Sequence, residues 1–252
     1  MKINYPAIKP LGSHTSKAYA DICAHTDEIF RSRRIANSFG CVPDKHQRLY
    51  GATDLTTSGH ETTHQINSEI ANTKSHRDKS VGLYTLDDVG WVIDEPKPLT
   101  IQQVAPKVPK EFRGGILGLY QLYCVSQASS WGDRPLYLCD EWVAYTNGSI
   151  IALQLAAGGE LKEARWDSMQ GVVYFSMFCS VMYSCVPSPS KELTEFFNYQ
   201  LARVATVFKE SQKYPLLTRA ENTSLLESYY DSAYFTPFNG PSKLKDYGFD
   251  YI

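Results

Sequence analysis

The stretch "TTSGHETTHQINSEIAN", from Thr56 to Asn72, contains two histidines four residues apart and a glutamate directly after the first. Capping residues precede the histidines and no proline interrupts the stretch, which predicts a helix. Residues four apart share one helix face, so the imidazoles of His60 and His64 can reach a single ion. Glu61 points about a quarter-turn away, where it can take a proton from a metal-bound water.

The same pattern also fits a polar surface helix whose histidines lie four apart by chance. Its flanks strengthen the metal-binding interpretation, because Ile66 and Ile70 mark one side of the helix and polar residues mark another. The polar side comprises Glu61, Gln65, Glu69 and Asn72. Both interpretations stay open on the pattern alone.

These residues resemble the zincin metallopeptidases, which carry His-Glu-x-x-His on their active-site helix. The metzincin type would continue with a glycine at position 67 and a histidine at position 70, whereas this chain has Asn67 and Ile70. The gluzincin type instead takes a glutamate from a later helix as its third zinc ligand. The resemblance therefore implies a gluzincin-like zinc site with His60 and His64 as ligands and Glu61 as the general base.

Glu141 is the best candidate for that third ligand. Plotted as a helix, "DEWVAYTNGSIIALQLAAGG" places it on an apolar face with Ala144, Tyr145, Gly148, Ala152 and Leu155. A carboxylate on such a face is costly unless it is paired or bound to a metal. The small residues of this face would let the His60 and His64 helix approach closely. Alternatively, Glu141 is a helix N-terminal acid stabilised by the dipole, a role that Asp140 could also fill.

Peptide hydrolysis through a metal also needs a donor for the tetrahedral oxyanion. Tyr145 is the first choice, because it lies one turn after Glu141 on the same face. Arg113, Tyr120 and Tyr123 are alternatives, although each of the 17 tyrosines is also a candidate packing residue. Weaker ligand candidates lie in segments that look solvated: His76, Glu160 and Glu163.

The remainder of the chain predicts an α+β, mainly helical protein with a zincin-like active-site helix and a small β-hairpin. Helical periodicity is found in 15–34, 115–129, 140–159, 161–185 and 191–214. The hairpin is predicted from "VGLYTLDDVGWVID", and the aromatic tail 228–241 is expected to be irregular. Zincins commonly place an edge strand before the active-site helix, so a hairpin after it departs from their usual topology.

No internal repeat or low-complexity tract is visible, so residues 1–252 predict a single metallopeptidase-like domain. A net charge of −2 gives no general attraction for nucleic acid. The uncharged run from Gly171 is too short and too diluted by Ser, Tyr and Cys for a membrane span, and predicts a buried core helix. The N-terminus shows no apolar run typical of a signal peptide. Abundant tyrosine with modest lysine nevertheless favours a secreted or periplasmic location over the cytoplasm.

The sequence therefore predicts a zinc-dependent hydrolase, specifically a metallopeptidase acting on a peptide or protein substrate. Its zinc ligands would be His60, His64 and Glu141, and its catalytic residues Glu61 and Tyr145. Two alternatives stay open. One is a non-catalytic binding or scaffold protein that keeps a zincin-like helix, and the other is a metal hydrolase that acts on a non-peptide substrate.

Overall fold

The computed structural model of the protein describes residues 2–4, 16–33, 55–72, 80–86, 89–230, 232 and 234. Its α-helices are α1 (Lys17–Arg33), α2 (Leu55–Asn72), α3 (Ile101–Val104), α4 (Ala128–Trp131), α5 (Tyr137–Ala157), α6 (Trp166–Ser184), α7 (Lys191–Ser211) and α8 (Ala220–Tyr230). Its strands are β1 (Lys2–Asn4), β2 (Ser80–Tyr84) and β3 (Val89–Asp94). Short 3-10 helices occupy Ala105–Lys107 and Lys110–Phe112, and a π-helix occupies Tyr120–Ser126. The described part is mainly helical with a small sheet, which confirms the predicted class.

The sheet is antiparallel, with the strand order β1-β3-β2. β2 and β3 form the predicted hairpin, in which Leu83 pairs with Trp91. Pro96 and Pro98 lie beyond the end of β3, so the central strand keeps its backbone donors. β2 lies at one edge of the sheet, and α2 covers it.

α2 and β2 approach each other closely at Gly82. A Cβ at this position would collide with the backbone of Asn67 and Ala71 and with the side chain of Ile70. Glycine is therefore required here by contact and not by backbone conformation. The close approach fixes the distance between the sheet and the helix that carries both histidines.

α5 and α6 form the centre of the largest apolar cluster. Every residue from Ser168 to Met182 is buried, which confirms that the uncharged run from Gly171 is a core helix. Trp142 of α5 packs against Phe196 and Phe197 of α7, with ring centroids 6.2 and 5.4 Å apart. Among the described residues, no helix combines the length and apolarity needed to cross a membrane.

The structure differs from the prediction in the segment 115–129, where one helix was expected. Gly115 and Gly118 adopt positive φ angles of 104° and 59°, which residues other than glycine rarely adopt. These glycines stop the helical pattern, and a π-helix begins at Tyr120. The π-helix ends at Ser126, and α4 begins at Ala128.

A second difference lies near the C-terminus. α8 was not predicted, and it includes the first residues of the tail that was expected to be irregular. Leu226 and Tyr229 of α8 are buried, and the Tyr229 hydroxyl hydrogen-bonds with the Ser180 hydroxyl of α6 at 2.9 Å. The amphipathic pattern of the segment is weak, and the helix is stabilised by the packing of these two side chains. Most of the tail beyond Tyr230 lies outside the described residues.

Glu95, just after β3, connects the sheet to the start of α5. Its carboxylate accepts a hydrogen bond from the backbone N–H of Leu136 at 3.1 Å. Burial raises the pKa of Glu95 to about 7, although the Leu136 N–H and the charges of Arg134 and Lys97 act in the opposite direction. Asp133 adds a further negative charge that also raises this pKa.

Gly82→Ala should lower the free energy of unfolding by at least about 2 kcal/mol, because the added methyl overpacks a contact between backbones. Urea unfolding followed by circular dichroism measures the change. Gly114→Ala is the matched control, since a Cβ there meets no atom within 4 Å. Equal stability of the two variants would contradict the close approach of α2 and β2.

Glu95 should make the protein less stable as the pH rises from 4.5 towards about 7, because its folded pKa lies above its ordinary value. A shift of this size corresponds to on the order of 3 kcal/mol. Glu95→Gln keeps an oxygen acceptor for the Leu136 N–H and removes the titration. The variant should therefore gain stability over the wild type across this pH window in urea unfolding series.

The exposed Glu111 serves as the control, since Glu111→Gln removes a charge without removing a buried carboxyl. A stability difference between Glu95→Gln and wild type that stays constant from pH 4 to pH 8 would rule out the predicted role.

Candidate metal centre

α2 and α5 approach each other closely beside His60. A Cβ at Gly148 would lie 3.1 Å from the carbonyl oxygen of Thr56 and 3.5 Å from the Cβ of His60. Gly59 faces Ile151 of α5 in the same way, and a Cβ there would collide with that side chain. The expectation that small residues let the histidine helix approach α5 is therefore met at Gly148.

This packing brings three potential ligand atoms together. Nε2 of His60 and Nε2 of His64 lie 3.2 Å apart. Oε2 of Glu141 lies 3.6 Å from each of these nitrogens. The group formed by His60, His64 and Glu141 could hold a metal ion, because its ligand atoms all lie within 4.8 Å of one another.

The spacing suits a tetrahedral ion. Ligands about 2.0–2.2 Å from a tetrahedral metal lie roughly 3.3–3.6 Å from one another, and the observed separations are 3.2 to 3.6 Å. Oε2 of Glu141 is buried and has no hydrogen-bond partner among the described residues. A buried carboxylate oxygen in this position is costly unless a cation compensates it. The donor set of two imidazoles and one carboxylate is one that transition metals accept.

Asp140 fixes the orientation of the His64 ring. Oδ2 of Asp140 lies 3.0 Å from Nδ1 of His64, and because an ionised carboxylate only accepts, the imidazole proton resides on Nδ1. Oδ1 of Asp140 accepts a hydrogen bond from the side-chain amide of Asn67. The amide oxygen of Asn67 in turn accepts from the backbone N–H of Tyr84 at 2.6 Å. A continuous chain of hydrogen bonds thus leads from β2 to His64 and orients its Nε2 towards His60 and Glu141.

The electrostatics of the group are dominated by its carboxylates. Burial alone would lower the pKa of His64, but the charge and hydrogen bond of Asp140 and the charge of Glu141 raise it well above its usual range. Burial alone would raise the pKa of Glu141, but the interactions with His60 and His64 lower it to about 2. The group therefore favours positive charge at its centre.

Glu61 lies beside the ligand group and not within it. It lines a cavity of about 130 Å³ together with His60 and Tyr145. The Tyr145 ring meets the His60 ring edge to face, with centroids 4.5 Å apart. On its other side, Tyr145 stacks on Phe175 and fits over Gly171, where a Cβ would collide with the ring. The structure thus brings together all five predicted site residues.

Among the alternative donors, Tyr123 also reaches this region. Burial raises its pKa, and Glu141 and Tyr145 raise it further by charge and hydrogen bonding. Arg113 is committed to backbone carbonyls of Val108 and Pro106, and Tyr120 donates to Ala105. Glu160 and Glu163 are exposed, as expected, and His76 lies outside the described residues.

The sequence prediction missed the roles of Asp140 and Asn67. Asp140 directly precedes Glu141 and was considered only as an acid at a helix N-terminus. Asn67 lies three residues after His64 and therefore on the same helix face, a signal that was present in the sequence. Asp167, which lines the cavity from α6, had no sequence signal, because only the tertiary fold brings α6 to α2.

Comparison of the chain with protein-family models, curated proteins and solved structures finds no significant match.

Asp140→Asn should weaken binding of added Zn²⁺ about 10- to 100-fold. An asparagine can present an N–H to Nδ1, which moves the imidazole proton to Nε2, the atom needed for the metal. His64→Ala and Glu141→Ala remove ligands and should weaken binding further. Isothermal titration calorimetry with Zn²⁺ as the probe ion measures all three variants.

The control is Asp133→Asn, which removes a carboxylate whose side chain is 73% exposed. Its zinc affinity should equal that of the wild type. Unchanged affinity in Asp140→Asn would show that Asp140 does not orient His64.

Proposed function

We propose that the protein is a zinc-dependent hydrolase, specifically a gluzincin-like metallopeptidase with His60, His64 and Glu141 as zinc ligands. The observation that carries this proposal is the convergence of the three ligand atoms, with a buried carboxylate oxygen of Glu141 that lacks a hydrogen-bond partner among the described residues. The Asp140–His64 pair adds support, because metal-binding histidines usually donate their other nitrogen to a carboxylate or carbonyl.

Zinc in this position would supply a Lewis acid that polarises the scissile carbonyl and acidifies the attacking water. Glu61 accepts the proton of that water and delivers it to the leaving amine. Its position supports this role, because it follows His60 on α2 and lines the same cavity without belonging to the ligand group. A carboxylate that ligated the metal could not serve as the base at the same time.

Tyr145 donates a hydrogen bond to the developing oxyanion. Burial, followed by the charge of Glu141, raises the pKa of the Tyr145 hydroxyl, so it stays protonated and able to donate. Its ring is fixed by Phe175 on one face and by His60 at its edge. Tyr123 lies beside Tyr145 and interacts with its hydroxyl.

Glu61→Gln should reduce turnover at least about 100-fold, the usual scale for losing a positioned base. It should keep about one zinc per chain, because the amide does not belong to the ligand set. Hydrolysis of a quenched peptide library measures turnover, and elemental analysis measures the zinc. Undiminished activity in this variant would remove Glu61 from the mechanism.

The exposed Glu163 provides the control, since Glu163→Gln makes the same chemical change away from the cavity. Its activity and zinc content should match the wild type. A wild-type chain that stays metal-free after incubation with zinc would overturn the enzyme proposal and favour a non-catalytic binding protein.

A further inference from the structure

The cavity beside the ligand group has a distinctive lining. It is formed by side chains of α2 and α5 and by the start of α6: Thr56, Thr57, His60, Glu61, Tyr145, Gly148, Asp167 and Ser168. Two of these residues, Glu61 and Asp167, are carboxylates that come from different helices. None of the described lining residues is a lysine or an arginine. The cavity is therefore suited to a positively charged group and unsuited to a carboxylate.

Asp167 has no evident structural role in the described part of the chain. It lies in the first turn of α6 and forms no ion pair or hydrogen bond with another described side chain. Its neighbour Ser168 is already engaged with the carbonyl of Arg165 at 2.8 Å. Asp167 is thus a fixed negative charge that faces the cavity and is available to a ligand.

A third carboxylate lies close to this lining. Oε2 of Glu141 lies 3.6 Å from Nε2 of His60, and the His60 side chain lines the cavity together with Glu61 and Asp167. A bound metal would neutralise the charge of Glu141, and Glu61 accepts a proton in the proposed reaction. Asp167 is then the carboxylate whose charge is left for recognition.

We propose that Asp167 determines specificity by binding a positively charged group of the peptide substrate next to the scissile bond. This inference rests on the proposed function, since it assigns a substrate class to the same site. The group is an ammonium or guanidinium, which a lysine or arginine side chain or a free N-terminus can supply. The hydroxyls of Thr56 and Thr57 and the carboxylate of Glu61 complete the polar lining.

The test uses matched quenched peptides that differ at one position beside the scissile bond, with lysine, norleucine or glutamate. Each is made with a free and with an acetylated N-terminus, which separates the side chain from the terminal ammonium as the source of charge. The wild type should prefer the cationic peptide at least about 10-fold in kcat/KM, because hydrogen bonds to charged groups are strong. Asp167→Asn should reduce this preference to about 2-fold or less, and Asp133→Asn should keep it.

A binding measurement makes the result independent of turnover. In the zinc-loaded Glu61→Gln protein, calorimetry should give a Kd at least about 10-fold lower for the lysine or free-amine peptide than for its neutral counterpart. Adding Asp167→Asn should abolish that difference while zinc content stays the same. Binding that ignores charge, or a preference that survives Asp167→Asn, would overturn the inference. Charge-selective binding without hydrolysis by the wild type would instead overturn the proposed function and keep the cation site.

Discussion

The close packing of α2 against α5 is the constraint on which the site depends. Gly59 and Gly148 have no side chains that would hold the two helices apart. A Cβ at Gly148 would lie only 3.1 Å from the carbonyl oxygen of Thr56. At this distance the short side chain of Glu141 reaches both histidine rings. A helix separation set by larger side chains would leave the carboxylate too far from the imidazoles to share an ion.

Two amide side chains connect this helix pair to the sheet. The side-chain oxygen of Asn67 accepts a hydrogen bond from the backbone N–H of Tyr84. The side-chain amide of Asn147 donates a hydrogen bond to the backbone carbonyl oxygen of Tyr84 at 2.9 Å. The side-chain oxygen of Asn147 also accepts from the buried Arg203 at 2.7 Å. Tyr84 thus has both outward-facing backbone groups satisfied by side chains, so this end of β2 is not free to pair with another strand.

The histidine pair and the helix that carries it were predictable, because the spacing of four and the capping residues are local properties of the sequence. Glu141 was predictable for a different reason: it stood out as a carboxylate on an apolar helix face. The hairpin and the core helix α6 followed from local composition in the same way. These features need no knowledge of tertiary contacts.

Features that depend on tertiary contacts were missed. The π-helix from Tyr120 follows from backbone angles at Gly115 and Gly118 that the apolar periodicity does not reveal. The link from Asn67 to Asp140 requires the register between α2 and α5, which their separate sequences do not contain. Asp167 lines the cavity from the start of α6, which packs against α5 where the Tyr145 ring fits over Gly171.

The charges of the site give a physical reason for its composition. Asp140 lies in the first turn of α5, where the helix dipole favours a negative charge, and Glu141 directly follows it. Asp140 is satisfied by Asn67 and His64, whereas a buried oxygen of Glu141 meets only imidazole nitrogens at 3.6 Å. Removing one partner of such a buried charged group strongly destabilises a protein. Replacing the whole group by apolar residues often leaves the stability unchanged. This group of charges therefore contributes little to the packing of α2 against α5, and its geometry suits a cation held between the two helices.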